Sequence, residues 1–215
     1  MRLPATLRRL SVCALAAAAA CAPRARPLAG VPAPRTVRVP VAALPVGHEK
    51  VVFRWRYAEG ETGARGEGVA RIAPPDSARL DLFLDGGLGG THAQIIGDEI
   101  RAPGGALGRR YLPPPELLWA ALGRLAVPAA ADTAIRVDGD TLRADIGRGP
   151  IWRVTFAAGR LTRLERIDGG RIVEWVSRTE ADEVRYAHES ARRSLALTIV
   201  RREGAAPFDP SIWRP

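Results

Sequence analysis

Histidine, cysteine and acidic side chains could carry a reaction in this chain, but their spacing forms no recognisable catalytic set. The histidines, His48, His92 and His188, have no second histidine or cysteine at a metal-ligand spacing. The sequence contains neither a G-x-S-x-G nucleophile elbow nor a phosphate-binding P-loop. Asp138 and Asp140 flank a glycine, which between two predicted strands is typical of a turn. We therefore expect no catalytic residue, no metal site, no cofactor and no enzymatic activity.

Cys21 offers a different chemistry, the covalent attachment of lipid. Residues 14–20 ahead of it are alanines and one leucine, and three arginines precede them. A basic start, an apolar run and small residues before a cleavage point are the parts of a secretory signal. The apolar run over residues 10–20 is too short to span a bilayer, which takes about 20 apolar residues. A cysteine directly after small residues resembles a bacterial lipobox, in which the chain is cut before the cysteine and the cysteine is acylated.

A second interpretation of this stretch stays open. A lipobox usually has leucine three residues before the cysteine, whereas Ala18 stands there and the nearest leucine is Leu15. Ala18 and Ala20 also fit an ordinary secretory cleavage site, after which Cys21 would be a free thiol. We favour lipidation because the following segment has the composition of a tether. We predict a signal peptide over residues 1–20 and a lipid anchor at Cys21.

Residues 21–47 are predicted to form the tether. Proline recurs six times between positions 23 and 45, with small residues in between. Proline excludes a helix or a central strand and favours extended polyproline geometry, so the segment would be a semi-rigid spacer that holds a domain away from the membrane. The folded domain is predicted over residues 48–203. Residues 204–215 form a partly apolar tail that could cap the domain or dock on a membrane.

Alternation of apolar and polar residues dominates the predicted domain. Val51, Phe53 and Trp55 alternate with polar neighbours, which is the period of a strand with one solvated face. The predicted strands are 51–57, 66–72, 78–84, 92–97, 98–102, 133–137, 141–146, 151–156, 161–167, 171–177, 182–186 and 194–201. One convincing helix follows three prolines at 113–115 and stops at Gly123. This pattern predicts a mainly β fold with one clear helix, in which an antiparallel sheet is strongly curved or forms an incomplete barrel.

The charge and cysteine content restrict the partners and the source of stability. The formal net charge is +9, but the arginines are scattered through the predicted strands and accompany no nucleic-acid motif. We therefore expect no nucleic-acid partner and a solvated outer face of the sheet. Cys13 would leave with the signal peptide, so Cys21 alone cannot form an internal disulfide and the core must stabilise the domain.

Leu88 lies between Gly86, Gly87, Gly89 and Gly90, where a hairpin turn is predicted. Glycines are expected at a tight reversal. A leucine at its tip is not, because an exposed leucine forgoes roughly 1.5–3 kcal/mol of burial free energy. On its own, this pattern is also met if Leu88 is a loosely packed turn residue buried against a neighbouring loop.

The order of these features resembles the LolA/LolB fold family, and within it the outer-membrane lipoprotein receptors of the LolB type. The resemblance covers about residues 50–202. Residues 84–91 are similar to the protruding loop of the family, residues 111–125 to its lid helix with a proline-containing lead, and residues 152–154 to a strand that carries tryptophan. The chain departs from the family in its longer, proline-richer tether and in having only one clear lid helix.

This resemblance implies an incomplete (half) β-barrel with an apolar concave side and a helical lid. Such a protein receives acylated lipoproteins from a soluble LolA-like carrier and inserts them into the outer membrane. Each buried CH₂ of an acyl chain contributes about 0.8 kcal/mol, so such cargo needs a dry cavity in transit. The implied partners are the acyl chains of lipoproteins, the carrier and the membrane that holds the lipidated N-terminus. The protein would be a monomer on the periplasmic face of the outer membrane, and Leu88 would contact the bilayer during release.

Six large apolar residues are the candidates to line the cavity: Leu117, Leu118, Trp119, Leu122, Trp152 and Phe156. The alternative is that they are ordinary core residues. We expect an apolar hollow beneath residues 116–125, and a filled interior there would weaken every ligand hypothesis. A lipoprotein of the same fold that binds a lipid or another hydrophobic ligand, or that acts as a sensor or assembly subunit, is the competing function, because fold does not fix function.

Overall fold

The computed structural model describes residues 22–87, 89–104, 112–180 and 182–214. Within these ranges the strands are β1 (Val31–Pro32), β2 (His48–Glu59), β3 (Thr62–Ala73), β4 (Ser77–Leu84), β5 (Gly90–Ile96), β6 (Glu99–Arg101), β7 (Thr133–Asp138), β8 (Thr141–Ile146), β9 (Ile151–Ala157), β10 (Arg160–Asp168), β11 (Arg171–Arg178), β12 (Glu183–His188) and β13 (Arg193–Ala205). The helix α1 spans Pro115–Leu122, and a 3₁₀ helix spans Pro210–Trp213. The predicted signal peptide, Cys21 and Leu88 lie outside the described residues.

All of these strands belong to one antiparallel sheet, in the order β1-β7-β8-β9-β10-β11-β12-β13-β2-β3-β4-β5-β6. Most neighbours in the sheet are also neighbours in the chain. The exception in the middle is the long pairing of β13 with β2, which runs from Arg193 opposite Glu59 to Ala205 opposite His48. Strands β1 and β6 are the two edges of the described sheet, so it curves without closing. The predicted fold class, a mainly β chain with an incomplete antiparallel barrel and a helix, is confirmed.

The period-two pattern located the strands well, since each predicted run overlaps a strand of the structure. In β2, Val51, Phe53 and Trp55 are buried while Arg54 and Arg56 are exposed. The largest errors in the bounds are of four residues: β3 begins at Thr62 and not near residue 66, and β13 ends at Ala205 and not at residue 201. A turn of only two residues, at 60–61, suffices because Gly60 adopts a positive φ of 58°.

Helix α1 lies on the apolar, concave face of the sheet and separates two core clusters. Its first turn contains Pro115, and it ends at Gly123, which has a φ of 98° and donates its N–H to the Ala120 carbonyl. Leu117 packs in a cluster built mainly from β8 to β12, and Trp119 packs in one built mainly from β2 to β5. The helix therefore forms part of the core and covers the sheet.

The predicted spacer is wrong for residues 22–47, because this segment lies along the domain. Arg24 forms an antiparallel bridge with Arg171, and β1 pairs with the edge strand β7. Prolines are compatible with this position because an edge strand leaves one row of backbone groups unpaired. Further on, Leu44 is buried in the cluster around Trp119. Sheet edges expose backbone donors and acceptors, and this segment supplies partners for those of β7.

The C-terminal tail docks on the convex face of the sheet, behind β4 and β5. Arg79 Nη1 and Gln94 Nε2 donate to the Ile212 carbonyl at 2.9 and 2.8 Å. The Phe208 ring makes an edge contact with His48, with ring centroids 5.3 Å apart. The tail thus covers polar side chains on the convex face, which is opposite the face on which α1 lies. Among the described helices, none is long and apolar enough to cross a membrane.

Candidate hydrophobic binding site

The space beneath α1, where we expected an apolar hollow, is filled by side chains in this structure. Leu117 and Trp119 are 1% and 0% exposed. The cavity left between the helix and the sheet has a volume of about 20 Å³ and is bordered by Phe53, Leu122 and Ile199. A single water needs roughly 10–15 Å³, so this gap cannot hold an acyl chain unless the helix moves. The expectation of a preformed hollow at this place is therefore corrected.

The six cavity candidates are brought together around the helix as core residues. Leu117, Trp152 and Phe156 belong to one core cluster. Leu118 and Trp119 belong to the other, and the half-buried Leu122 packs against it. Their convergence follows from β9, whose alternate residues face inward, and from the apolar faces of α1. Their role as ligand contacts stays a prediction.

A small set of polar contacts fixes α1 at its middle and at its C-terminal end. Trp119 Nε1 donates to the Gly97 carbonyl at 2.6 Å, and Arg178 Nη1 donates to the Ala121 carbonyl at 2.9 Å. After the helix, the Leu125 N–H donates to the Ala42 carbonyl of the N-terminal segment at 2.9 Å. The helix, β11 and the N-terminal segment are thus joined at one place, near the C-terminus of α1.

A larger apolar hollow lies beside this junction, at the β7 edge of the half-barrel. We call it the edge groove. It has a volume of about 780 Å³, within the range of about 300–1,000 Å³ typical of ligand pockets. Its walls are residues 33–35 and 37–42 of the N-terminal segment, residues 125, 127 and 129–131 after the helix, and Thr133, Ile135 and Ile146 of the sheet.

Small side chains keep the edge groove open. Five of its lining residues are alanines, namely Ala33, Ala42, Ala129, Ala130 and Ala131. Arg35 and Arg38 are the two charged residues among those that line it. Arg38 is turned back onto its own segment, where Nη1 contacts the carbonyls of Arg35 and Val37. The result is a mostly apolar surface with guanidinium groups on one wall.

Sequence reasoning missed the edge groove because its walls come from segments interpreted as a tether and a loop. Residues 33–42 and 125–135 are far apart in the chain. The pairing of β1 with β7 and the backbone hydrogen bonds from Ala33 to Ile135 and from Leu125 to Ala42 bring them together. One signal was present in the supposed tether. Val37, Val39 and Val41 alternate with Arg38 and Pro40, and Val37 and Val39 are half-buried.

A second hollow, of about 280 Å³, lies near the C-terminus of α1 and carries positive charge. We call it the arginine pocket, since Arg160 and Arg178 line it together with Thr162, Thr179 and Glu180. Burial, together with the nearby charges of Arg202 and Arg160, lowers the pKa of Arg178 to about 10. Val41 and Ala42 line both the arginine pocket and the edge groove, so the two hollows are neighbours.

The convex face has a groove of about 430 Å³ across β12, β13, β2 and β3, and most of its charges are paired. Arg56, which is exposed to solvent, lines it without an ion pair among the described residues. Arg65 pairs with Asp85 at 3.1 Å, and Arg185 pairs with Glu183 at 2.9 Å. Arg54 lies 4.0 Å from Glu67. This surface therefore has little capacity to select a charged ligand. No group of three metal-ligating side chains is found within the described ranges.

The glycine-rich turn and the start of the N-terminal segment lie at the same end of the sheet. Because neighbouring strands are antiparallel, the turns β2–β3, β4–β5, β10–β11 and β12–β13 all lie at that end. The Ala25 N–H donates to the Gly170 carbonyl in the β10–β11 turn. In the β4–β5 turn, Gly86, Gly87 and Gly89 have positive φ angles. Phe83, just before that turn, is 52% exposed.

Comparisons with known proteins support the fold and leave the function open. The sequence matches no protein-family model and no curated protein. The fold is similar to that of a LolA superfamily protein from Nitrosomonas europaea, with a TM-score of 0.51 at 9% identity over 80% of this chain and 92% of that chain. A putative outer membrane lipoprotein-sorting protein domain from Vibrio parahaemolyticus gives a TM-score of 0.49 at 9% identity, over 78% of this chain and 89% of that chain. At such identity the likeness establishes a LolA-like fold alone.

Proposed function

We propose that this chain is a binding protein of the bacterial envelope whose edge groove receives hydrocarbon chains. The observation that carries the proposal is an apolar hollow of about 780 Å³ at the open edge of a LolA-like half-barrel. Ten buried methylenes contribute on the order of 8 kcal/mol before the cost of ordering the chain. A groove of this size can therefore hold an acyl chain with useful affinity and without a cofactor or a catalytic group.

The walls of the groove differ in how firmly they are held. The sheet wall, with Ile135 and Ile146, belongs to the main core cluster. The opposite wall is the N-terminal segment, attached around the groove by the backbone hydrogen bonds Ala33 N–H to Ile135 O at 3.0 Å and Leu125 N–H to Ala42 O at 2.9 Å. We expect the segment to move when a chain enters, since fewer interactions hold it than hold the sheet.

The specific form of this proposal is a receptor of the LolB type, anchored to the outer membrane through Cys21, that takes acylated lipoproteins from a soluble carrier and inserts them into the bilayer. Two features support it. The described start of the N-terminal segment and the glycine-rich turn that contains Leu88 share one end of the sheet, so the anchor and the turn would face the same membrane. If the helix moves away from the sheet, the six core residues on α1 and β9 would be exposed and would line a deeper cavity for the acyl chains.

In the alternative function, the hydrocarbon chain belongs to a lipid or another hydrophobic ligand, and the protein binds this ligand without any transfer of lipoproteins. The arginine pocket next to the edge groove favours this alternative, because an acyl chain with a charged headgroup would use both hollows. Mass spectrometry of ligands that co-purify from the envelope distinguishes the two. Acylated protein supports the receptor, and a free lipid alone supports the alternative.

Substitution of Ile135 tests the groove itself. Ile135→Lys places a charge in the apolar wall and should reduce binding of a fluorescent C16 alcohol by at least tenfold, because the ammonium group must stay solvated. The matched control is Ala134→Lys, one residue earlier on β7, which is exposed and opposite Asp145. Titration of each mature protein with the alcohol measures the effect.

Equal binding of the alcohol by both variants, or no binding of it by the unchanged protein, would contradict the proposal. If Ile135→Lys lowers the melting temperature too far, Ala130→Lys replaces it. Ala130 lines the same groove from the segment after α1, and its carbonyl accepts a hydrogen bond from Thr133 Oγ1.

A further inference from the structure

Arg178 holds a positive charge in a place where few groups compensate for it. It is the last residue of β11, and its Nη1 donates to the Ala121 carbonyl at 2.9 Å. Within the part of the chain that the structure describes, no carboxylate lies within 4.0 Å of its guanidinium. Glu49 and Asp182, whose charges act on Arg178, pair with Arg202 at 3.3 and 3.6 Å. A partly buried cation in this situation is stabilised when an anion binds beside it.

The pocket around Arg178 has the donors that an oxyanion needs. Arg160 lines it with an exposed guanidinium. Thr179 Oγ1 accepts a hydrogen bond from the Glu183 N–H at 3.3 Å, so its hydroxyl proton can be donated to a ligand. Glu180 also lines the pocket, but it is exposed and solvent screens its charge. A guanidinium group can donate two parallel hydrogen bonds to the oxygens of a carboxylate or a phosphate. Either anion therefore suits the pocket.

Gly123 lets the guanidinium approach the end of α1. A Cβ at this position would lie 2.7 Å from Arg178 Nη1, and the residue has a φ of +98°. A larger residue would displace the arginine from the helix end. At this position the guanidinium charge also lies close to the edge groove, since Val41 and Ala42 line both hollows.

We infer that the ligand of this protein is an anionic amphiphile, with its carboxylate or phosphate at Arg178 and Arg160 and its hydrocarbon chain in the edge groove. This inference rests on the proposed function of the groove and adds the chemistry of the headgroup. The polar pocket and the apolar groove lie on the two sides of residues 41–42, as a head and a tail require. A fatty acid and a monoacyl phosphate share this chemistry.

The test compares three ligands with the same chain length: palmitate, hexadecyl phosphate and hexadecanol. Each is titrated into the mature protein and into Arg178→Gln and Arg160→Gln variants. We expect the anions to bind the unchanged protein about tenfold or more tightly than the alcohol, since a hydrogen bond between charged groups is stronger than one between neutral groups. Both variants should lose this advantage while hexadecanol binds as before. The matched control is Arg185→Gln, an exposed arginine of the convex face.

Each other outcome overturns the inference in a distinguishable way. Equal binding of hexadecanol and both anions removes the headgroup site and leaves the proposed function intact, whereas no binding of any ligand removes the proposed function itself. Inorganic phosphate that binds at Arg178 as tightly as hexadecyl phosphate indicates an isolated anion site. If Arg178→Gln does not fold, Arg160→Gln decides, because Arg160 is exposed and makes no ion pair among the described residues. The preferred anion identifies carboxylate or phosphate as the headgroup.

Discussion

The space beneath α1 and the edge groove are both bordered by the apolar face of one sheet, yet the first is filled and the second is open. Beneath α1, large side chains such as Leu117 and Trp119 reach the sheet and leave about 20 Å³. In the edge groove, alanines of the N-terminal segment and of residues 129–131 face the sheet and leave about 780 Å³. The size of the covering side chains, and not apolar composition, decides where this fold has room for a ligand.

The largest effect is expected from Trp119→Ala, which would turn the filled region into a hollow. Loss of a fully buried tryptophan typically lowers the free energy of unfolding by about 3–5 kcal/mol, and the hydrogen bond to the Gly97 carbonyl is lost with it. Urea unfolding measures the change. Leu122→Ala, on the same helix but half-buried, should cost clearly less.

Trp119→Ala also tests the difference between the filled space beneath α1 and the open edge groove. A new apolar hollow beneath α1 should bind small hydrocarbons such as benzene, in addition to the chain bound in the edge groove. A loss of stability below about 1 kcal/mol would mean that the helix already leaves the sheet easily, and the filled region would then be the lid of an openable cavity.

An intermediate effect is expected from Gly30→Ala, which should release one wall of the edge groove. A Cβ at this position would lie 2.6 Å from the Val137 carbonyl oxygen, and the residue has a φ of +106°. Gly47→Ala is the matched control, since Gly47 has a similar φ of +90° but no atom within 4 Å of the added Cβ. The backbone strain is thus common to both variants, and the clash is specific to Gly30.

Limited trypsin digestion measures the release of the segment. In the Gly30 variant, cleavage after Arg24, Arg35 or Arg38 should become faster than in the Gly47 variant, and binding of hexadecanol should weaken. Equal cleavage of the two variants would show that β1 does not hold the wall in place.

The smallest effect is expected at the C-terminal tail, which lies on the convex face and borders neither region. The Ser211 N–H hydrogen bond lowers the pKa of Asp209 below its ordinary value of 3.8. A carboxyl group with a depressed folded pKa stabilises the fold above its unfolded value, and this contribution is lost as the pH falls through the folded value. The NMR shift of the Ser211 amide should therefore titrate with a midpoint below 3.8, without a change in ligand binding. A midpoint above that value would contradict the contact.

The sequence was sufficient for the strands and the helix because their signals are local. Alternation along β2 and β9 identifies inward-facing residues without any knowledge of their partners. Prolines before α1 and Gly123 after it mark the ends of the helix. The pairing of β13 with β2 is not local, and no pattern within either strand indicates it.

The candidate site was predicted only in part, and the reason is again distance along the chain. The six residues around α1 do converge, but whether they leave a void depends on how their volumes fit across elements from different parts of the sequence. The edge groove depends on contacts between residues 33–42 and 125–135, and the proline-rich composition of the first segment concealed them.

The residue pattern alone was enough to predict a mainly β domain with one apolar helix and an N-terminal segment that could carry a lipid at Cys21. These properties follow from the order of residue types, since hydrophobic periodicity, turn residues and helix caps act over a few positions. The tertiary structure decided that the supposed tether is a wall, that the helix fills the space beneath it, and that Arg178 lies beside an apolar groove. Those properties arise from packing between distant segments, where volume and charge compensation are settled only once the whole sheet has formed.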